Sequence, residues 1–147
     1  STSHGPTYNK KYPSSFEVFT PVCTTVEMSK ANRDELMNAY DNTIVYTDYL
    51  IHSVIEVLRK VEDRNCCMLY VSDHGESLGE NNLYMHGVPM MMAPREQIEI
   101  PFIVWSSDKT LGVKDIKEVG QYHIFHSILR FLDVESPIYD EKMNIFE

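Results

Sequence analysis

The stretch LYVSDHGESLGENNLYMHG, residues 69–87, passes from an apolar strand into a polar loop. Residues Cys66 to Ser72 form a short, mostly apolar and β-compatible run, which predicts a buried strand. Asp73, His74 and Glu76 follow it directly, around a glycine that permits a sharp exit from the strand. In open α/β sheets, ligands bind just beyond the carboxyl ends of the strands. The stretch therefore places a candidate site at the end of this strand.

The same residues suggest a metal site without establishing one. Asp73 and His74 offer an oxygen and a nitrogen ligand for Zn²⁺. His86, which is followed by a glycine, closes the loop and is able to return to the same place. The spacing lacks the dense HxxxH or CxxC patterns of strong zinc motifs, and an Asp-His pair is often a turn residue beside a surface imidazole. From the residues alone, a metal site and an ordinary turn both stay open.

Length and charge limit the classes of protein. A chain of 147 residues with 43% hydrophobic residues fits one domain with a substantial core. It has no apolar run long enough to span a bilayer, and its first residues do not have the pattern that we expect of a signal peptide. The first residue is Ser1 rather than an initiator methionine, so we expect a fragment or a processed piece. The net charge of -9 argues against nucleic-acid binding, which needs a basic face, but permits an anionic substrate beside a metal.

Periodicity predicts the remaining elements. From Asn32 to about Asp63, apolar residues recur at three- and four-residue steps, which predicts a helix with Asn32 as its N-cap. Pro101 to Ser107 reads as a second strand, and Tyr122 to Val134 as a second helix. Helix, strand, loop, strand and helix together predict a layered α/β fold.

Several other residues have both an ordinary and a functional interpretation. His4 lies in an irregular N-terminal segment, and a lone histidine there is usually structural. On the second helix we expect His126 to be packed and His123 to be exposed. The three methionines Met90–Met92 could line an adaptable apolar surface, although filling gaps in the core is their usual role.

A longer pattern in the chain resembles a known family. The loop residues, together with several short segments before and after them, resemble the signature of the phosphoethanolamine transferases. These are the inner-membrane, lipid A modifying enzymes of Gram-negative bacteria, a group that includes the transferable colistin-resistance enzymes. Our best single interpretation is a piece that resembles the C-terminal part of the periplasmic catalytic domain of the Campylobacter-type enzyme. The matching segments are SDHGESLGEN at 72–81, YMHG at 84–87, AP at 93–94, SHGPTY at 3–8, FTPVC at 19–23, NAYDNT at 38–43 and HSIL at 126–129.

This resemblance implies a fold and a reaction. The fold is an alkaline-phosphatase or sulfatase-like α/β/α sandwich. Zinc activates a threonine that attacks phosphatidylethanolamine, and the phosphoethanolamine group then passes from the threonine to lipid A or another envelope acceptor. By motif matching, Asp73 and His74 are zinc ligands, and Glu76 supports these ligands without binding the zinc itself. His4 and His86 lie across the site, where they bind the phosphoryl group or a further zinc, or protonate the leaving group.

The resemblance also predicts what this chain lacks. The family's nucleophilic threonine and another acidic zinc ligand have no match here, so we expect residues 1–147 to be the C-terminal portion of one periplasmic domain of a Gram-negative inner-membrane protein. The upstream membrane helices would then be absent, and the chain alone would be inactive. Relatives pair the cysteine that matches Cys23 with a second cysteine where this chain has Ala31, so Cys23 should be free or paired differently.

Two alternatives stay open. The chain could come from another alkaline-phosphatase-superfamily enzyme, such as a sulfatase or a phosphoglycerol transferase. Sulfatases use a formylglycine made from cysteine or serine, whereas phosphoglycerol transferases use threonine. The chain could also be a non-catalytic module with a relict loop, in which case substituting Asp73 or His86 would leave activity intact.

Overall fold

The computed structural model describes residues 3–147. Contacts within the chain divide it into two compact units, Ser1–Ser53 with Ser72–Ile100 and Val54–Val71 with Pro101–Glu147. The α-helices and β-strands of the described residues are, in chain order, α1 (Arg33–Leu58), β1 (Cys67–Val71), β2 (Ser77–Leu78), β3 (Tyr84–Met85), α2 (Arg95–Ile98), β4 (Phe102–Ser106) and α3 (Tyr122–Phe131). Across residues 3–147, no helix is both long enough and apolar enough to cross a membrane.

Helix α1 begins where the sequence predicts and ends early. The Oδ1 atom of Asn32 accepts hydrogen bonds from two N–H groups of the first turn, at 2.9 and 3.3 Å, which confirms the N-cap. The helix ends at Leu58 rather than near Asp63. Its last turn tightens there, because the N–H of Lys60 bonds to the carbonyl of Val57, three residues back.

A small core in the first unit holds the irregular N-terminal segment. Cys23 belongs to this core as a free thiol, and Ala31 packs against the same side chains. The thiol is therefore free, which is one of the two states that the sequence left open. Cys66 and Cys67 are free as well. The buried members of the core are Tyr8, Cys23, Met28, Leu36, Ala39 and Leu78.

Asn42 fastens the N-terminal segment to α1. Its Oδ1 accepts hydrogen bonds from the N–H groups of Val18 and Phe19, both at 2.8 Å. Its Nδ2 donates to the carbonyl of Phe19 at 2.9 Å and to the hydroxyl of Tyr12 at 3.2 Å. The amide is fully buried and all of its hydrogen-bonding capacity is used. Asn42 is thus a fixed link between this segment and the helix.

The two strands of the second unit form an antiparallel pair. β1 and β4 are in register from Cys67 opposite Ser106 to Val71 opposite Phe102, which confirms both predicted strands. Helix α3 ends at Phe131 rather than at Val134. The chain reverses at Asp133, whose φ of 52° lies in the left-handed region that commonly ends a helix.

On α3 the expectation for His126 holds, whereas that for His123 is wrong. His126 is partly buried, and its Nδ1 accepts a hydrogen bond from the N–H of Asp140 at 3.0 Å. His123, which is expected to be exposed, is only 4% exposed. The buried ring has a polar partner, because the N–H of Gly120 donates to its Nδ1 at 3.0 Å. A buried histidine is tolerated when a ring nitrogen is bonded in this way.

The methionine run does not fill the core. Met90, Met91 and Met92 lie on a turn closed by the N–H of Met92 on the carbonyl of Pro89 at 2.8 Å. Met91 is 99% exposed, and its two neighbours are exposed too. The prediction of a core role is therefore wrong: the backbone of the turn points all three side chains to solvent.

Candidate metal centre

Three histidines from separate segments of the first unit converge. One ligand atom from each of His4, His74 and His86 lies within 4.8 Å of the others. The ring centroids of His74 and His86 are 3.7 Å apart, and that of His4 is 4.9 Å from His86 and 5.8 Å from His74. The N-terminal segment, the loop after β1 and the residue after β3 thus each contribute one imidazole to the cluster.

In each of these imidazoles, Nδ1 faces an oxygen. The Nδ1 of His4 is 2.8 Å from the carbonyl of Gly5, and that of His74 is 3.0 Å from the carbonyl of Gly75. The Nδ1 of His86 is 3.0 Å from Oε1 of Glu76. Carbonyl and carboxylate oxygens only accept, so Nδ1–H is the donor in all three and a neutral ring keeps its lone pair on Nε2. Metal-binding histidines are oriented in the same way.

Asp73 adds a carboxylate beside His74. Its Oδ2 is 3.8 Å from the Nε2 of His74, and its side chain is 84% exposed. A backbone hydrogen bond, and then the electrostatic interaction with His74, lower the pKa of the Asp73 carboxyl, which is therefore an anion at neutral pH. Two ligands of one tetrahedral zinc lie about 3.4 Å apart. The pair is within a few tenths of an ångström of that spacing, and its donor atoms fit zinc.

Glu76 lies behind the cluster and is held from two sides. Its side chain is 5% exposed. One oxygen accepts from His86, and the other, Oε2, accepts from the hydroxyl of Tyr8 at 2.8 Å. Burial, and then the contact with Glu76, raise the pKa of the Tyr8 phenol, so this hydroxyl stays protonated and donates.

Close backbone contact fixes the loop that carries these residues. The N–H of Gly75 donates to the carbonyl of Gln97 at 3.1 Å. A β-carbon on Gly75 would lie only 2.0 Å from the carbonyl oxygen of Glu96, so this position excludes any side chain. The pairing of β2 with β3 turns the chain back and brings His86 to the start of the loop.

The structure brings together all five residues that the sequence singled out. Their proposed roles stay predictions. The sequence missed Tyr8 as a site residue, although it lies in the family-like segment SHGPTY. Its hydrogen bond joins residues 68 positions apart, which no local pattern reveals.

Comparison with known proteins identifies the family of this chain. The family model described as sulfatase matches residues 1–134. The chain belongs to the sulfatase family. It is 45% identical over 140 residues to the phosphoethanolamine transferase EptA of Helicobacter pylori, which covers 92% of this chain and 27% of that protein.

Two solved structures resemble this sulfatase-family chain closely. The C-terminal periplasmic domain of phosphoethanolamine transferase EptC from Campylobacter jejuni has a TM-score of 0.90 at 42% identity, over 97% of this chain and 48% of that one. The integral membrane protein lipooligosaccharide phosphoethanolamine transferase A from Neisseria meningitidis has a TM-score of 0.91 at 38% identity, over 99% and 29%. These likenesses confirm the sulfatase-like α/β fold and the resemblance seen in the sequence. The chain spans little more than a quarter of the Helicobacter relative.

Proposed function

We propose that this sulfatase-family chain is part of a zinc-dependent enzyme that transfers phosphoethanolamine from phosphatidylethanolamine to lipid A or another envelope acceptor. The observation that carries the proposal is the convergence of His4, His74 and His86 beside Asp73. The similarity to proteins named phosphoethanolamine transferases supports the transferred group. The group would pass through a covalent phosphoethanolamine-threonine intermediate, and we assign that nucleophile to none of the threonines in these residues.

We propose a periplasmic location at the inner membrane of a Gram-negative bacterium. One solved relative is named a periplasmic domain, and another is named an integral membrane protein that acts on lipooligosaccharide. Placing an ethanolamine ammonium on a lipid A phosphate would reduce the negative charge that attracts cationic polymyxins. Resistance to polymyxins would therefore be a consequence of the same reaction.

Asp73 and His74 would hold the zinc. When bound, zinc lowers the pKa of a hydroxyl nucleophile and neutralises charge on the phosphoryl oxygens. The anionic carboxylate and the Nε2 lone pair would supply two of the donor atoms that zinc takes. The carbonyl behind His74 keeps its ring in the tautomer that leaves Nε2 available.

His4 and His86 would act on the phosphoryl group. A neutral ring offers its Nε2 lone pair to a cation or a proton, and a protonated ring offers Nε2–H to a phosphoryl oxygen or to the departing oxygen. Nδ1–H is donated in both states, so Gly5 and Glu76 keep both rings oriented during proton transfer. The two histidines are therefore suited to binding the donor phosphate and protonating its leaving group.

The test is metal content together with donor turnover in the complete enzyme, with a fluorescent phosphatidylethanolamine. We expect Asp73→Ala to lose bound zinc and to reduce head-group release at least about 100-fold, since a direct ligand should matter at least as much as its supporting partners. Asp48→Ala is the matched control, because Asp48 is an exposed carboxylate on α1. Normal zinc content and normal turnover in Asp73→Ala would refute the ligand assignment.

A second candidate is sulfate-ester hydrolysis, which the match to the sulfatase model favours. The two reactions are distinguished by giving the same preparations an aryl sulfate. Hydrolysis of the aryl sulfate, with zinc bound and no release of the lipid head group, would replace the transferase proposal. Head-group release without sulfatase activity would exclude this candidate.

A further inference from the structure

Tyr8 connects the scaffold of the first unit to two of the three site histidines. Its hydroxyl donates to Oε2 of Glu76 at 2.8 Å, and Oε1 of the same carboxylate is 3.0 Å from Nδ1 of His86. A β-carbon on Gly5 would lie 2.9 Å from the Tyr8 hydroxyl, so the residue that orients His4 rests directly against it. We propose that Tyr8 is a positioning residue that holds the His86 imidazole in its Nδ1–H tautomer through Glu76.

The position of Tyr8 is set by packing rather than by the site. The residue is 1% exposed and belongs to the core of the first unit. Its ring meets that of Tyr40 on α1 edge to face, with centroids 5.4 Å apart at 89°. The hydroxyl therefore reaches Glu76 from a rigid support.

Glu76 needs both of its donors. The residue is 8% exposed, and a buried carboxylate oxygen without a partner is strongly destabilising. Without the Tyr8 hydroxyl, Oε2 loses its donor, and the carboxylate would turn toward water. His86 would then lose the fixed acceptor at its Nδ1.

The tautomer decides what His86 presents to the cluster. A neutral imidazole in water favours the Nε2–H form, in which no lone pair on Nε2 is available to a cation. The carboxylate of Glu76 accepts Nδ1–H and selects the other form. In the Nδ1–H form, the lone pair on Nε2 of His86 points away from the carboxylate of Glu76.

The first test reads the tautomer directly. Long-range proton–nitrogen correlation spectra of the ¹⁵N-labelled chain, at about pH 8.5, report which nitrogen carries the proton in neutral rings. We expect His86 to be in the Nδ1–H form in the wild type. In Tyr8→Phe the Nε2–H form should become the major one, and Glu76→Ala should behave in the same way. Tyr12→Phe is the matched control: Tyr12 is also buried, and its hydroxyl contacts Glu17 and Asn42 instead.

Either of two results overturns the proposal. One is a wild-type His86 in the Nε2–H form, which decides the matter even where Tyr8→Phe fails to fold. The other is a folded Tyr8→Phe in which His86 stays in the Nδ1–H form. Amide spectra of the same samples show whether each variant is folded.

The second test is donor turnover in the complete enzyme, with zinc content measured beside it, and its interpretation rests on the proposed function. We expect Tyr8→Phe to lower turnover about 10-fold, because His86 handles the donor phosphate, and general acid–base groups contribute about 100-fold or more when they are lost outright. Zinc content should stay at the wild-type level, because Asp73 and His74 hold the metal. Tyr12→Phe should match the wild type in both. If the wild type binds no zinc but shows the expected tautomer, the zinc proposal fails and the positioning role stands. Equal turnover in Tyr8→Phe and the wild type would overturn the link from Tyr8 to the site.

Discussion

Gly75→Ala should move the site loop, for a purely steric reason. The new β-carbon would lie 2.0 Å from the carbonyl oxygen of Glu96, and ordinary contact begins at about 3.4 Å. The φ of Gly75 is outside the left-handed region, so backbone strain adds nothing. Overpacking costs about 1–3 kcal/mol. Weakening the hydrogen bond to Gln97 adds about 1 kcal/mol, so we expect about 2–4 kcal/mol of destabilisation.

The displacement should affect function more than stability. Separating the loop from Glu96 requires a movement of more than about 1 Å, and such a shift of reacting groups is enough to lower a rate about 100-fold. Urea denaturation measures the loss of stability, and zinc titration together with donor turnover measures the damage to the site. The displaced residues include His74 and Glu76, so zinc affinity should fall as well.

Gly112→Ala is the control for this experiment. Its β-carbon would lie 2.2 Å from an oxygen of Glu147, which is a nominal clash of the same size. Glu147 is exposed and flexible, so its side chain is able to swing away, whereas the backbone of Glu96 cannot. We expect Gly112→Ala to change stability by less than about 0.5 kcal/mol. Our reasoning is refuted if Gly75→Ala matches this control in both stability and zinc affinity.

Two further predictions concern stability. Asn42→Ala removes the four hydrogen bonds of a fully buried amide and should cost about 3–5 kcal/mol in urea denaturation. Asn38→Ala loses one exposed hydrogen bond and should cost less than about 1 kcal/mol, and equal costs for the two variants would contradict the role of Asn42 as a link. Hydrogen bonds from Lys114 and Tyr139 lower the pKa of Glu141 from 4.5 to about 2. Its stabilisation is therefore present above about pH 4.5 and is lost as the pH falls toward about 2. As the pH is lowered across that range, the urea midpoint should fall less for Glu141→Gln than for the wild type. If the two midpoints fall by the same amount, the contacts of Glu141 with Lys114 and Tyr139 do not contribute to stability.

Much of the local structure could be predicted from the sequence, because it depends on neighbours along the chain. The N-cap at Asn32 and the strands around residues 67–71 and 102–106 follow from hydrogen bonds and periodicity within a few residues. The ends of the helices were harder to predict, since a tightened last turn at Leu58 and a reversal at Asp133 have weak sequence signals. The methionine turn was misjudged because apolar composition alone does not say which way a side chain points.

The candidate site also has parts that the sequence predicts and parts that depend on tertiary structure. The sequence by itself determined that Asp73, His74 and Glu76 follow a strand and that His86 closes their loop, and the family pattern added a role for His4. Only the tertiary structure decided that His4 and His86 meet His74, that each Nδ1 has an oxygen to bind, and that Tyr8 stands behind Glu76. These contacts join residues up to 82 positions apart, from His4 to His86, and they exist because the core around Tyr8 and the link at Asn42 hold the N-terminal segment in place. Long-range packing of this kind leaves no periodic pattern in the sequence. The sequence therefore identified the residue types of the site, and only the fold brought their side chains together.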